Sequence, residues 1–298
     1  MRLMAKSITI LIPAVAVGVA MWRRRKQRVI VVCAVEEEAD HVKRYLAESV
    51  VMPLRRPARQ RVRGVLEGRK DLIVDVVTCG VGVVDASMVV SALLLESTPA
   101  CVLSVGCSGA HSKHIRPGDV VVSTTVVPTA CKMLRHDGTS HHVGMRLNTV
   151  DPPLREIPTD PILMEAAMTA ATNITLPAWP TTAATRPVVY RGKIGSSDTW
   201  SQCPSDITRQ HTELGTLCEE MEAVGVSRVC QEFGVPCVCI KDIANNELEP
   251  PPDAEAETGL GESLIMSDLG RRAALVAVAM LQDSAFATAT TRRLPWPN

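Results

Sequence analysis

The sequence predicts an α/β fold built on a partly parallel sheet. Three observations carry this. Continuous apolar runs of strand length recur, as at residues 29–35 and 101–105, and strands buried on both faces read this way. Helix-length segments such as 85–95 separate them, and strands alternating with helices give a sheet covered by helices. Several runs end in glycines or acids. That places polar groups outside the carboxyl ends of the strands, where such sheets bind ligands.

The elements follow in order. Residues 29–35 (VIVVCAV) form a first strand, which enters a helix at Glu36-Glu37-Glu38; acids there favour the helix dipole. Residues 72–78 (LIVDVVT) are a second strand, ending at Cys79-Gly80-Val81-Gly82, and the small and apolar helix 85–95 comes next. Residues 101–105 (CVLSV) are a third strand, turning at Gly106-Cys107-Ser108-Gly109. Residues 119–127 make a fourth strand, 188–194 a fifth after Pro187, and 236–243 (PCVCIKDI) a sixth. A helix at 219–233, stopped by Gly234, and a terminal helix at 269–281 complete the set. Residues 172–187 and 245–263 read as loops, and 284–298 as a flexible tail.

Composition excludes several classes. With 298 residues, 46% apolar and 21% charged, the chain is neither disordered, collagen-like nor coiled coil. A chain of this length buries roughly 75% of its unfolded surface without disulfide staples. Only 3% of residues are aromatic, too few for a base-stacking RNA platform. The formal charge is zero, but residues 1–28 hold seven basic residues and no acid. The acidic remainder argues against a nucleic-acid footprint. The ten cysteines sit mostly in apolar runs and read as free core thiols; Cys237-x-Cys239 is an alternation within a strand. No metal site is expected.

Residues 8–22 carry no charge and lie between Lys6 and Arg23-Arg24-Arg25-Lys26. Fifteen helical residues span about 22 Å, short of a hydrocarbon core of about 30 Å, though Lys6 and Arg23 can snorkel. The favoured reading of residues 1–28 is a single-pass signal-anchor. The basic block then holds the body in the cytosol, on the endoplasmic reticulum or outer mitochondrial membrane. A cleaved leader, giving a cytoplasmic or organellar protein, and a buried helix are the alternatives.

Four features gather at the ligand edge. Glu36-Glu37-Glu38 alone reads as solvated helix-start acids. Gly106-Cys107-Ser108-Gly109 exposes backbone N–H groups, but lacks the lysine of a Walker loop. Cys218-Glu219-Glu220-Met221-Glu222-Ala223 places three acids beside residues that favour burial. Lys241-Asp242-Ile243-Ala244-Asn245 ends the last strand.

Together these features resemble the superfamily of purine nucleoside phosphorylases, uridine phosphorylases and methylthioadenosine/adenosylhomocysteine nucleosidases. The resemblance spans about residues 28–283. It is carried by AVEEEAD (34–40), TCGVGVVDASMVVSALL (78–94), VGCSGAHSKHIRPGDVVVST (105–124), LRHDGTSHH (134–142), GSSDTW (195–200) and EEMEAVGVSRVCQEFGVPCVCIKDI (219–243). It implies a three-layer α/β/α sandwich with a mixed central sheet, nucleoside phosphorylase-like, over 29–283. It also implies cleavage of a ribose N-glycosidic bond, through an oxocarbenium-like sugar.

By this resemblance, Glu222 holds the ribose hydroxyls beside Glu220, with Met221 packing under the sugar. Trp200 lies against the base, and Cys107, Ser108 and Gly109 flank the nucleophile. Glu38 aligns with the acid that activates water in the nucleosidases. Asn245 stands where nucleosidases of 6-aminopurines place an aspartate that protonates the base. An amide cannot give up that proton, but it both donates and accepts, which points toward inosine- or guanosine-like substrates. Lys241 is expected to be structural.

Two departures bear on the reaction. The phosphorylases hold phosphate with arginines at two places that read here as Glu36–Glu38 and Ser104. Carboxylates repel an incoming dianion, while a hydrolase uses one to take a proton from water. Hydrolysis of a nucleoside, with a purine base, is therefore favoured. A phosphate-dependent phosphorylase remains open, since Arg55, Arg56, Arg59, Arg61 or Arg63 could bind phosphate as co-substrate. A non-catalytic nucleoside-binding protein is a further alternative. No cofactor is expected. The resemblance implies a homo-oligomer, dimer or hexamer, with helix 85–95 as a candidate interface, although core packing explains that helix equally well.

Overall fold

The computed structural model describes residues 26–54, 57–146, 150–180, 186–249, 266–283 and 286. The centre is a ten-stranded mixed sheet. Its strands are β1 (Gln27–Cys33), β2 (Leu46–Leu54), β3 (Arg59–Leu66), β4 (Arg69–Thr78), β5 (Cys101–Ala110), β6 (Val120–Pro128), β9 (Ile157–Pro158), β10 (Val189–Ser196), β11 (Thr216–Glu220) and β12 (Cys237–Asn245). A separate hairpin joins β7 (Lys132–Leu134) to β8 (Ser140–His142). The order across the main sheet is β11-β10-β6-β12-β5-β1-β4-β3-β2, with β9 pairing β6. β1 is parallel to β4 and β5, β12 is parallel to β5, and β10 is parallel to β6 and β11.

The apolar runs fix the layers. In β1 successive side chains point to opposite faces. Val29, Val31 and Cys33 join one core, and Ile30 and Val32 the other. The first core is covered by α1 (Glu36–Lys43), α3 (Pro161–Thr172) and α6 (Arg271–Gln282); the second lies under α2 (Val83–Glu96) and α5 (Ala223–Glu232). A short helix, α4 (Pro204–Arg209), precedes a π-turn at Gln210–Leu214. This is the three-layer α/β/α arrangement expected from the sequence.

Several expectations are corrected. The predicted helix 219–233 is split. Glu219 and Glu220 belong to β11, and the helix starts only at Ala223. Glu220 then serves the helix start, its carboxylate accepting from the Glu222 and Ala223 N–H groups. The glycine-rich stretch 106–109 is not a turn: β5 runs on to Ala110, because β12 and β11 pair with it on either side. The terminal helix starts at Arg271 rather than 269, because Gly270 adopts a left-handed φ of 72°.

Elements absent from the sequence reading include β2, β3, β7, β8, β9, α3 and α4. α3 carries an Asp160 cap that accepts from Ile162 and Leu163 N–H, with Pro161 at its first turn, a signature that was present in the sequence. Of the expected tail 284–298, Phe286 is described, and it packs in the first core.

The membrane placement does not stand. No helix among the described residues is long and apolar enough to cross a membrane. The segment assigned as the anchor falls in residues 1–25, outside the described residues, as do 250–265 of the expected acidic loop.

Across the adjacent strands β1, β4 and β3 lies an arginine cluster. Asp75 is fully buried and accepts from Arg28 at 2.7 Å and from Arg63 at 2.6 and 2.8 Å. Burial pushes its carboxyl up, but the Arg63 and Arg28 hydrogen bonds outweigh that and hold the pKa below the ordinary value. Asp75→Ala leaves these guanidinium groups partly buried and uncompensated. We expect it to lower unfolding stability by about 3–5 kcal/mol, read from urea denaturation at neutral pH.

Candidate active site

The strand ends converge on a cavity of about 440 Å³. Every residue assigned to the catalytic or substrate-binding site from the sequence lines it: Glu38, Cys107, Ser108, Gly109, Trp200, Glu220, Met221, Glu222 and Asn245. Glu38 and Glu222 thus open onto one space, although one comes from the first helix and the other from the turn before α5.

Glu36 and Glu37 behave as solvated helix-start acids, but Glu38 is buried. Its Oε2 accepts from the Ala34 N–H at 2.9 Å and, more weakly, from Val35 at 3.4 Å; its Oε1 accepts from the Cys107 N–H at 2.7 Å. The chain thereby ties the end of β1 to β5. Gly106 is required for this contact: a Cβ there would lie 2.6 Å from Glu38 Oε1. Gly270 packs against the same side chain, its added Cβ falling 3.1 Å from Glu38 Cγ and 3.4 Å from Gly106 Cα. The Cys107 thiol is pushed well up by burial and by the Glu38 charge, so it stays neutral and is a poor nucleophile.

Glu222 accepts from the Gly82 N–H at 2.9 Å. Gly82 sits at a φ of 108°, which only glycine adopts without strain. Burial raises the Glu222 carboxyl to about 7; the neighbouring Glu220 adds to the rise and Lys241 opposes it. Lys241 is buried, with its Nζ 2.9 Å from Glu220 Oε2 and 4.0 Å from Glu222 Oε2. Burial works against its charge, but Glu220, Glu222 and Glu38 prevail and hold its pKa well above the ordinary value. Its structural role is therefore electrostatic, as the counter-ion of the site.

The remaining groups are simpler. Asn245 donates through Nδ2 to Glu247 Oε1 at 2.7 Å. Ser108 Oγ makes a long contact of 3.4 Å to the Asp242 carbonyl. Trp200 is 65% exposed and rims the opening. Val81, Met266 and Leu269 also line the cavity, as does Glu219, which the sequence placed among the acids at the ligand edge without assigning it a role. Reading Glu219 as the first residue of a helix hid its role: it lies in β11, which sets its side chain on the cavity wall. Met266 and Leu269 are brought in by chain that returns before α6.

Other expected contributors lie elsewhere. Arg59 is paired with Asp85 at 3.2 Å, Arg61 with Glu96 at 2.5 Å, and Arg63 with Asp75. Arg55 and Arg56 fall outside the described residues. His141 and His142 lie in the β7–β8 hairpin, where His142 contacts the Pro128 carbonyl. Asp242 turns away from Asn245 and pairs with Arg272 at 3.0 Å.

A mixed sheet between two helical layers, with carboxylates gathered at its strand ends, defines a nucleoside phosphorylase-like α/β enzyme of the class that cleaves N-glycosidic bonds. The chain belongs to the phosphorylase superfamily, whose family model matches residues 28–281.

Among its relatives is a 5'-methylthioadenosine/S-adenosylhomocysteine nucleosidase of Anoxybacillus flavithermus. That protein is 29% identical over 189 residues, which cover 62% of this chain and 72% of that one. A protein of the same name from Mycobacterium tuberculosis is 24% identical, covering 84% and 95%. The fold is similar to futalosine hydrolase of Helicobacter pylori, with a TM-score of 0.68 at 19% identity, covering 86% and 97%. It is also similar to the Neisseria meningitidis methylthioadenosine/adenosylhomocysteine nucleosidase bound to methylthio-immucillin-A, with a TM-score of 0.65 at 20% identity, covering 86% and 99%.

The Lys241 arrangement yields a pH-dependent expectation. Without the ammonium, the folded-state pKa of Glu222 rises further. The folded protein then keeps a proton that the unfolded chain has released. Stability therefore falls as pH climbs from the unfolded carboxylate value of about 4.3 toward the folded one. We expect Lys241→Met to cost about 3–5 kcal/mol at pH 8 and clearly less at pH 5.5. Urea midpoints at the two pH values test this.

Proposed function

We propose that the protein hydrolyses the N-glycosidic bond of a purine nucleoside. The observation that carries the reading is one cavity shared by Glu38 and Glu222, whose described lining contains four glutamates and no arginine, lysine or histidine. A phosphate dianion entering that space would meet like charge, at about 1 kcal/mol per pair in water and several in a cleft. Water suffers no such penalty. The relatives named nucleosidase and hydrolase support the same reading.

In the proposed reaction, Glu222 accepts hydrogen bonds from the ribose hydroxyls, and its negative charge favours the cationic sugar of the transition state. Met221 packs beneath the sugar and Trp200 covers the base. Glu38, fixed by backbone N–H groups, takes a proton from water as the water oxygen attacks the anomeric carbon. The C–N bond electrons leave with the base. Asn245 donates a hydrogen bond to the departing base, which takes its proton from solvent. The free pentose and free base are the products.

Glu38→Gln keeps the backbone contacts to one oxygen but removes the base. We expect turnover of inosine to fall by about 10²–10⁴-fold, measured as released base. In the unaltered enzyme the release rate should not depend on added phosphate. Strict dependence on phosphate, yielding a sugar phosphate, would reject the hydrolytic reading.

We also propose that a second copy of this chain covers part of α2. That helix buries Ala86, Val89, Val90, Leu93 and Leu94, yet leaves Val84, Met88 and Leu95 exposed. The exposed Val81, which lines the cavity, lies just before it. Sedimentation should find a dimer or larger assembly, and Met88→Glu should shift it toward monomer.

A further inference from the structure

We infer that Glu219 reads the base, and that together with Asn245 it selects a purine with a ring N–H beside a carbonyl over one with an exocyclic amine at that place. This inference rests on the nucleoside reading above. The argument begins with the sheet. β11 pairs Glu219 with Gly109, and β12 pairs Asn245 with the same Gly109 from the opposite flank. Two polar side chains therefore straddle a residue that has none, on the wall of one cavity. The gap is tight: a Cβ on Gly109 would lie 3.3 Å from Asn245 Oδ1. A flat ring can approach the backbone there, where a side chain would block it.

Glu219 is only 6% exposed. Burying a carboxylate is costly unless it is well partnered. Its Oε1 accepts from the Ser201 N–H at 2.8 Å. Its Oε2 has a long contact of 3.4 Å with Gln210 Nε2 and lies 3.3 Å from His111 Nε2. His111 is itself anchored by Nδ1 to Thr216 Oγ1 at 2.8 Å. These contacts hold the carboxylate in place without exhausting it, since a carboxylate offers about four acceptor positions. None of the proposed steps of bond cleavage uses it.

The chemistry of the pair follows. A carboxylate takes hydrogen bonds and gives none. An amide such as Asn245 does both, and its second Nδ2 hydrogen remains beside the one given to Glu247. A 6-oxopurine offers a ring N–H to the carboxylate and a carbonyl oxygen to the amide. A 6-aminopurine presents a bare ring nitrogen, whose lone pair would face the carboxylate. A site built to receive an N–H discriminates strongly against the analogue that lacks it.

The test uses the full chain and free bases, so that it does not depend on turnover. Calorimetric binding of hypoxanthine and adenine is compared for the unaltered protein and Glu219→Gln, with inosine and adenosine cleavage measured in parallel. The unaltered protein should prefer hypoxanthine by at least about tenfold. The variant should lose about 10- to 100-fold of that preference, and the inosine-to-adenosine ratio of kcat/KM should fall with it.

An unaltered protein that binds adenine as tightly as hypoxanthine overturns the inference, as does a variant whose preference is unmoved. Base discrimination without cleavage of either nucleoside would support Glu219 while rejecting the hydrolytic reading. Cleavage without discrimination would reject the Glu219 role alone. If the variant fails to fold, the preference of the unaltered protein decides.

Discussion

The site depends on one buried ammonium. Lys241 stands on β12 behind Glu220 and Glu222, within the field of Glu38. Three acids in a shielded space repel one another, and each loses hydration. Burial first, and then the Glu220 charge that a single lysine cannot cancel, lift the Glu222 carboxyl to about 7. The cation also sets a division of labour. Glu220 takes its close contact and caps the start of α5. Glu222 stands a further ångström away and keeps an oxygen for the cavity. Geometry and charge are thus fixed by the same side chain.

The second constraint is the lack of side chains on β5. Gly106 admits the Glu38 carboxylate, and Gly109 leaves room beside Asn245. Both lie in a strand flanked by hydrogen-bonded neighbours, where glycine is otherwise unfavourable. Strand stability is given up there so that groups from β1, β11 and β12 can meet across the central strand. The same economy recurs at Gly82, whose positive φ turns its N–H toward Glu222.

Much of this was legible in the sequence, for identifiable reasons. β1, β4, β5, β6 and β12 are largely buried strands, and their apolar runs announce them, whereas β10 is half-buried and was marked by its start after Pro187. Glu38, Cys107, Ser108, Gly109 and Asn245 lie at or just past the ends of those runs, whereas the roles of Trp200, Met221 and Glu222 came from the family resemblance. What failed to read was decided by distant pairing. Glu219 to Glu222 look like the acidic first turn of a helix, yet β10 and β5 draw the first two into the sheet. β2 is mostly exposed, with a register shift after Ala47, so it shows neither a solid apolar run nor a clean alternation. The arginines of β3 look like a basic patch because their carboxylate partners lie on other elements: Asp85, Glu96 and Asp75.

That last point links the two ends of the molecule. The described arginines of the basic stretch are the ones that a phosphate-dependent reaction would have needed. Arg59 and Arg61 are committed to α2, and Arg63 to β4, each through an ion pair. To serve a phosphate, any of them would have to leave its carboxylate, and for Asp75 that carboxylate is fully buried. Removing one partner of a buried pair is costly because the other charge stays behind. A larger cavity of about 590 Å³, which shares no lining residue with the site, is lined by Lys43 and Arg59, but both are already paired, with Glu36 and Asp85. The charge is therefore sorted, with Arg59, Arg61 and Arg63 of the basic stretch paired to acids outside the site and four glutamates lining the cavity. That sorting disfavours an anionic nucleophile and leaves a neutral one, water, as the reactant the cavity can admit without penalty.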